Sequence, residues 1–284
     1  MPLLDTEEYV EQAYLFRALL ERLPDGLPLQ DLLYHIKQEI LSTTKLPMAI
    51  DFMLTELKHT GMMSGAMERL GHYFHPFQTY VMQEAEAERG RFDIRIALQL
   101  LQFEAEYRAK GPTPQGLFMF QFESLSRNRL KYDTGLLAIA NDPLFDQDWR
   151  DWIMTLRRQI GLVDFADMIY VRSEHFLTRL RQLNKEEPPA HAVLFGEKEG
   201  KIAFANRQRD PLYLFAALQR HLGYPAVPRP KIAEDPTETL IGLARRMERA
   251  EIRIKLLEEE GKGGIDLKKL YGPQPKELPP DLGE

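Results

Sequence analysis

The chain has no cysteine. Composition therefore excludes disulfides, thiol nucleophiles, iron–sulfur clusters and thiolate zinc sites together, and it fits a reducing compartment. The chain also lacks any uninterrupted apolar run near the ~20 residues needed to cross a bilayer, so no membrane association is expected. The opening residues, MPLLDTEEYVEQ, carry acids where a secretory leader has basic residues and then an apolar stretch. A cytoplasmic location is the expectation. An excess of positive charge is missing too. Net charge is −6, and residues 1–110, with 11 basic and 17 acidic side chains, hold all of the imbalance. Such a surface offers no general attraction to a polyanion, and nucleic-acid binding is not expected.

Catalytic signatures are equally scarce. Neither Gly-x-Ser-x-Gly nor His-Glu-x-x-His occurs. The stretch GEKEGK (196–201) is one residue too short between its glycines for a phosphate-binding loop, and Ile202 replaces the hydroxyl that would hold magnesium. In DPLFDQDWRDW, four aspartates lack the bend glycine and distal glutamate of a calcium loop, so they read as caps at a helix start. Arg127, Arg129, Lys131, Arg157 and Arg158, with Tyr132 or Trp149 to stack on a base, are interspersed with acids and read as salt-bridged helix surface.

What is present is helical patterning. Hydrophobic residues make up 44% and charged residues 28%, the balance of an ordinary globular chain. DTEEYVEQAYLFRALLERL opens with Asp5 and Glu8 spaced as a capping box and stops at Pro24-Asp25-Gly26. PLQDLLYHIKQEILSTT, PMAIDFMLTELKHTG, DIRIALQLLQFEAEYRAKG, QGLFMFQFESLSRNRLKY, DTGLLAIAND, DQDWRDWIMTLRRQIG and DFADMIYVRSEHFLTRLRQLN each read as a further helix. In LFMFQF the apolar residues also alternate, but the longer context favours helix. ERGRFDIRIALQLL and SRNRLKYDTGLLAIA share a weak pattern about 40 residues apart, the period of helical-repeat arrays.

After residue 187 the composition shifts. HAVLFGEKEGKIAFANR has two β-prone runs about a polar turn and is expected to form a hairpin. PLYLFAALQRHLG is a short helix, and YPAVPRP an extended strap. EDPTETLIGLARRMERAEIRIKLLEEEG begins with Asp235 as N-cap and Pro236 at the first helical position, and Gly261 stops it. Its Leu240, Leu243, Met247, Ala250, Ile254 and Leu257 repeat at spacings of 3 and 4, a coiled-coil seam. The expected fold is mainly α: a multi-helix array or bundle, helical-repeat-like, with one small β-hairpin and a long C-terminal helix. The expected divisions are a helical domain (1–187), a hairpin, short helix and strap (188–235), the C-terminal helix (236–261) and a tail (262–284).

Two functional expectations follow. The first is a non-enzymatic scaffold that binds a protein partner, or a second copy of itself, through a helical surface or through Leu240, Leu243, Met247, Ile254 and Leu257. A seam this short needs a partner to remain helical in water. It would need no cofactor. The alternative is a metal-dependent helical enzyme, oxidase-like, holding iron, manganese or zinc. Glu84 and Glu88 fall within about 20° of Phe77 on a helical wheel, where carboxylates are costly unless paired or bound to a cation. Glu104 sits on the apolar side of the next helix, and Glu68, His72 and His75 share a face if their helix continues through Gly71. His72, His75, Glu84, Glu88 and Glu104 are the candidate ligands. The carboxylate–histidine bundle template needs two Glu-x-x-His pairs, and the chain has one, Glu56 and His59.

Overall fold

The computed structural model describes residues 3–87, 92–183 and 191–229, together with Met247. Its chain divides into two compact units, Met1–Pro230 and Lys231–Glu284. Of the second unit only Met247 is described, as helical and 61% exposed. The expected C-terminal helix and its other seam residues, Leu240, Leu243, Ile254 and Leu257, lie outside the described residues.

The first unit is helical, with thirteen α-helices and no strand among the described residues. They are α1 (Thr6–Arg22), α2 (Leu29–Lys37), α3 (Leu46–Thr60), α4 (Met63–Arg69), α5 (Pro76–Glu86), α6 (Ile94–Ala109) and α7 (Pro114–Arg127). They continue as α8 (Tyr132–Ala140), α9 (Gln147–Gln159), α10 (Phe165–Val171), α11 (Glu174–Gln182), α12 (Glu197–Ala205) and α13 (Pro211–Leu222). Their ends obey local chemistry. Asp93, Thr113, Asp146, Asp164, Ser173 and Asp210 each accept a backbone N–H at a helix start. Gly61 and Gly223 close α3 and α13 in the left-handed conformation that glycine adopts without strain.

Where local capping fails, a remote carboxylate serves. Asp5 begins α1 without a side-chain bond, and Glu8 does not complete the expected capping box. Its carboxylate instead accepts Lys45 N at the start of α3 (2.9 and 3.1 Å) and the Tyr73 hydroxyl (3.0 Å). Glu86 accepts Met63 N and Ser64 N at the start of α4 (2.7 and 2.8 Å). Free amides at a helix N-terminus carry partial positive charge, so a carboxylate there is stabilising by about 0.3–1 kcal/mol and more when partly buried. Acids in apolar arcs thus become joints between helices.

α1 lies along α6, and α5 packs on α4, α6 and α8. α9 packs on α8, α13 on α7, and α12 on α10, α11 and α13. An aromatic cluster fills the second half of the core. Phe118 meets Trp152 edge-on at 4.9 Å between centroids, and Phe195 lies 5.2 and 5.3 Å from Trp152 and Trp149. Such pairs add about 0.5–1.5 kcal/mol beyond the area they bury.

The expected hairpin is not formed. Residues 197–205 are α12, in which Glu197 and Glu199 occupy the first turn and Glu197 pairs with Lys201 one turn on. Gly200 is not a turn glycine. A β-carbon there would meet His175 Cβ at 2.7 Å, so glycine is what lets α12 close onto α11. The β-prone run before it contributes only an isolated parallel bridge, Ser173 to Phe195, with Leu194 N and Phe195 N donating to Arg172 O at 2.9 and 3.1 Å. That bridge also divides the single helix expected over 164–184 into α10 and α11. Ser173 accepts Phe176 N and donates to Tyr170 O, so the break is capped on both sides.

Candidate functional site

Two regions gather chemistry-bearing side chains. The first is a buried polar network at the centre of the first half. Pro76 fixes the first turn of α5 and makes His75 its N-cap, fully buried. His75 Nε2 lies 2.9 Å from the Tyr9 hydroxyl, and the two rings stack. His75 N donates to Gln78 Oε1, Gln78 Nε2 to Gln12 Oε1, and Gln12 Nε2 to Tyr73 O, all at 3.0–3.1 Å. Beside it, Arg108 Nη2 donates to Glu104 Oε1 (2.9 Å) and pairs with Asp142, while Gln121 Nε2 donates to the same Glu104 oxygen (2.8 Å). Asp142 Oδ1 also accepts Leu144 N (3.0 Å).

The electrostatics follow from burial. Burial, helped by the Arg108 charge and opposed by Asp142, pushes the His75 imidazole down to about 3. Burial alone would raise Asp142, but the Arg108 guanidinium outweighs it and holds the carboxyl below its usual range. His75 Nδ1, Glu104 Oε2, Arg108 Nε and Gln121 Oε1 are buried and have no hydrogen-bond partner among the described residues. Tyr9, His75, Glu104, Arg108, Gln121 and Asp142 are each at most 5% exposed. The network can hold α1, α5, α6 and α7 in register, but it presents no reacting atom to solvent.

The candidate metal ligands do not converge. α4 ends at Arg69 and the chain turns through 70–74, so Glu68, His72 and His75 share no helix face. His72 is exposed and His75 buried. Glu84 pairs with Lys131 (2.9 Å), and Glu104 is taken by Arg108 and Gln121. Glu88 lies outside the described residues. Among the described residues no three histidine, aspartate or glutamate side chains are placed to share an ion, and a guanidinium occupies the position beside Glu104 that a cation would need. The described members of the set, His72, His75, Glu84 and Glu104, are therefore not brought together as ligands. The basic residues weighed for nucleic acid are largely paired as well: Arg127 with Glu123, Lys131 with Glu84 and Arg157 with Asp133. Trp149 is buried and cannot stack on a base.

The second region is a surface. α11 carries Phe176, Leu177, Leu180 and, just beyond its end, Leu183, yet it has no fully buried residue. With Tyr170 and Phe204, its Phe176, Leu180 and Leu183 line a hollow of about 340 Å³ that includes Arg179 and Arg207. The Arg179 guanidinium stands 4.5 Å over the Phe204 ring, and that of Arg207 stands 5.2 Å from both Tyr170 and Phe204. Arg207 also pairs with Asp167, whereas Arg179 makes no ion pair among the described residues. Leu183 is 63% exposed.

Sequence reasoning passed over Arg108, although Glu104 four residues earlier is the spacing of a helical ion pair. It passed over Phe204 as well, because a hairpin strand would have turned that ring away from α11. No helix among the described residues is long and apolar enough to cross a membrane. Comparison with protein-family models, with curated proteins and with solved structures finds no match to this chain.

Proposed function

We propose that this chain is a cytoplasmic, non-enzymatic interaction protein that holds a protein partner through its helical surface. The observation that supports the reading is the α11–α12 face. An amphipathic helix with nothing fully buried stands beside two aromatic rings capped by arginines, one of them without a carboxylate partner among the described residues. Exposed apolar area rimmed by charge marks binding surfaces, and arginine and aromatic residues dominate their energetics. A cation over a ring in water contributes about 0.5–1 kcal/mol and more once desolvated, so the arrangement gains when covered. The matching partner is an amphipathic helix with leucine on one side and carboxylates flanking it. The seam Leu240, Leu243, Met247, Ile254 and Leu257 is proposed as a second contact, for a partner or for another copy of the chain.

Fluorescence anisotropy with two labelled helical peptides, one of leucine and glutamate and one of leucine and lysine, tests the reading on the full chain. The acidic peptide should bind, the basic one should not, and Arg179→Glu with Arg207→Glu should weaken binding at least tenfold. Leu243→Glu with Leu257→Glu separates the seam from the face. Equal binding of the two peptides, or indifference to the arginine changes, refutes the proposal.

A further inference from the structure

A separate hollow of about 270 Å³ is walled by α9, α10 and the segment entering α12. Its wall includes Trp152, Met168, Val163, Val171, Arg172 and His191. Trp152 is only 1% exposed, and its indole Nε1 donates to no acceptor among the described residues. Arg172, half-buried in the same wall, donates through Nη1 to Ala192 O (3.2 Å) and makes no ion pair among the described residues. Burial lowers its guanidinium from the ordinary arginine value, against the opposing pull of Asp148 and Asp151. Arg172 is thus a half-buried cation that no carboxylate contacts directly among the described residues, with Asp148 and Asp151 acting on it only from a distance. The acid in the wall, Asp167, is already committed to Arg207. The apolar part of the wall reaches solvent at Val163 and Val171, 42% and 46% exposed, while Thr155, Gln159 and His191 complete the lining.

We propose that this hollow is a binding site for a small carboxylate with an apolar tail. The carboxylate takes the Arg172 guanidinium, and the tail lies along Trp152, Val163, Met168 and Val171. A volume of 270 Å³ is about nine waters' worth, which suits a ligand of roughly ten non-hydrogen atoms. A guanidinium binds a carboxylate in a fork, and a desolvated wall strengthens that pairing over its worth in water. The site shares no lining residue with the α11–α12 hollow, although the Asp167–Arg207 ion pair joins their walls; Arg179→Glu alone therefore tests the α11–α12 face, and Arg172→Gln tests this site.

Octanoate and its neutral analogue octanamide are the probes, titrated into the full chain by calorimetry at pH 7. Trp149→Phe leaves Trp152 as the sole tryptophan, so its emission reports occupancy of this wall directly. Saturable 1:1 binding of octanoate, at least tenfold weaker for octanamide and at least tenfold weaker in Arg172→Gln, is the expected result. N-acetyl-leucyl-valine against its amide tells a chain terminus from a free acid; tighter binding of the dipeptide acid than of octanoate assigns the carboxylate to a peptide end. Absence of octanoate and dipeptide binding up to 10 mM overturns the proposal, as does equal affinity for acid and amide. Should Arg172→Gln not fold, the acid–amide comparison on the unaltered chain decides by itself. Unchanged Trp152 emission on saturation would place the ligand elsewhere and equally overturn it.

Discussion

Replacing Arg108 by methionine should be among the most damaging single changes in this chain. The side chain is 5% exposed and bridges Glu104 and Asp142, both fully buried. Without the guanidinium, two carboxylates face each other in the core with only Gln121 Nε2 and Leu144 N as donors. Breaking one partner out of a buried pair costs about 3–5 kcal/mol, chiefly because the remaining charge is uncompensated. For a chain of this size, each kcal/mol corresponds to about 2–4 °C in Tm, so a fall near 10 °C is expected. Circular dichroism melts and urea titrations at pH 7 measure it. Two controls locate the cause. Adding Glu104→Gln and Asp142→Asn to Arg108→Met removes the orphaned charges and should restore more than half of the loss. Lowering pH should also narrow the gap between Arg108→Met and the unaltered chain. Asp142, depressed by Arg108, contributes stability that is present above its unfolded value near 4 and lost as pH falls through its lower folded value. In the methionine variant that contribution is absent from the start. A loss under 1 kcal/mol for Arg108→Met, or a triple variant no better than the single, would refute this account of the network.

The same physics governs the remaining expectations. His75 is held neutral down to about 3, whereas the unfolded imidazole takes its proton near 6.5. Stability should therefore fall by up to about 1.4 kcal/mol per pH unit as pH drops below 6, and His75→Gln should flatten that slope in urea titrations from pH 7 to 4.5. Tyr224 donates to Glu123 Oε2 (2.7 Å) and Phe215 O (3.1 Å), pinning the chain after α13 onto α7. Tyr224→Phe should cost about 1–3 kcal/mol in the same titrations, because a buried acceptor loses a donor. Gly135→Ala places a β-carbon 2.7 Å from Leu125 Cδ2 and 3.1 Å from Tyr80 Cε1, so hydrogen exchange should show α8 opening against α5 while the α10–α12 amides are unchanged.

The helices were legible in the sequence because their signals are local. Asp93, Asp146 and Asp210 cap the elements they precede, prolines stand in the first turns of α3, α5, α7 and α13, and Gly61 and Gly223 mark stops. The roles of Glu8 and Glu86 were not legible, since their partners are set by packing between helices. Glu8 and Lys45 are 37 residues apart, and nothing near Glu8 announces that its carboxylate will serve α3. The hairpin expectation failed for a related reason. β-prone residues and a glycine pair describe a turn only if nothing approaches the glycine, and here His175 does. Tertiary packing overrides a propensity that is itself largely a measure of context.

The pairing of Ser173 with Phe195 has a further consequence. It closes a circuit in the chain at one fixed point, so the stretch between the two residues begins and ends at the same place on the body. Lengthening such a circuit twofold costs only about 0.6 kcal/mol of closure entropy. Because both ends of that circuit are held at the bridge, a change in its length alters closure entropy slightly while Arg172, Ser173, Leu194 and Phe195 keep their places.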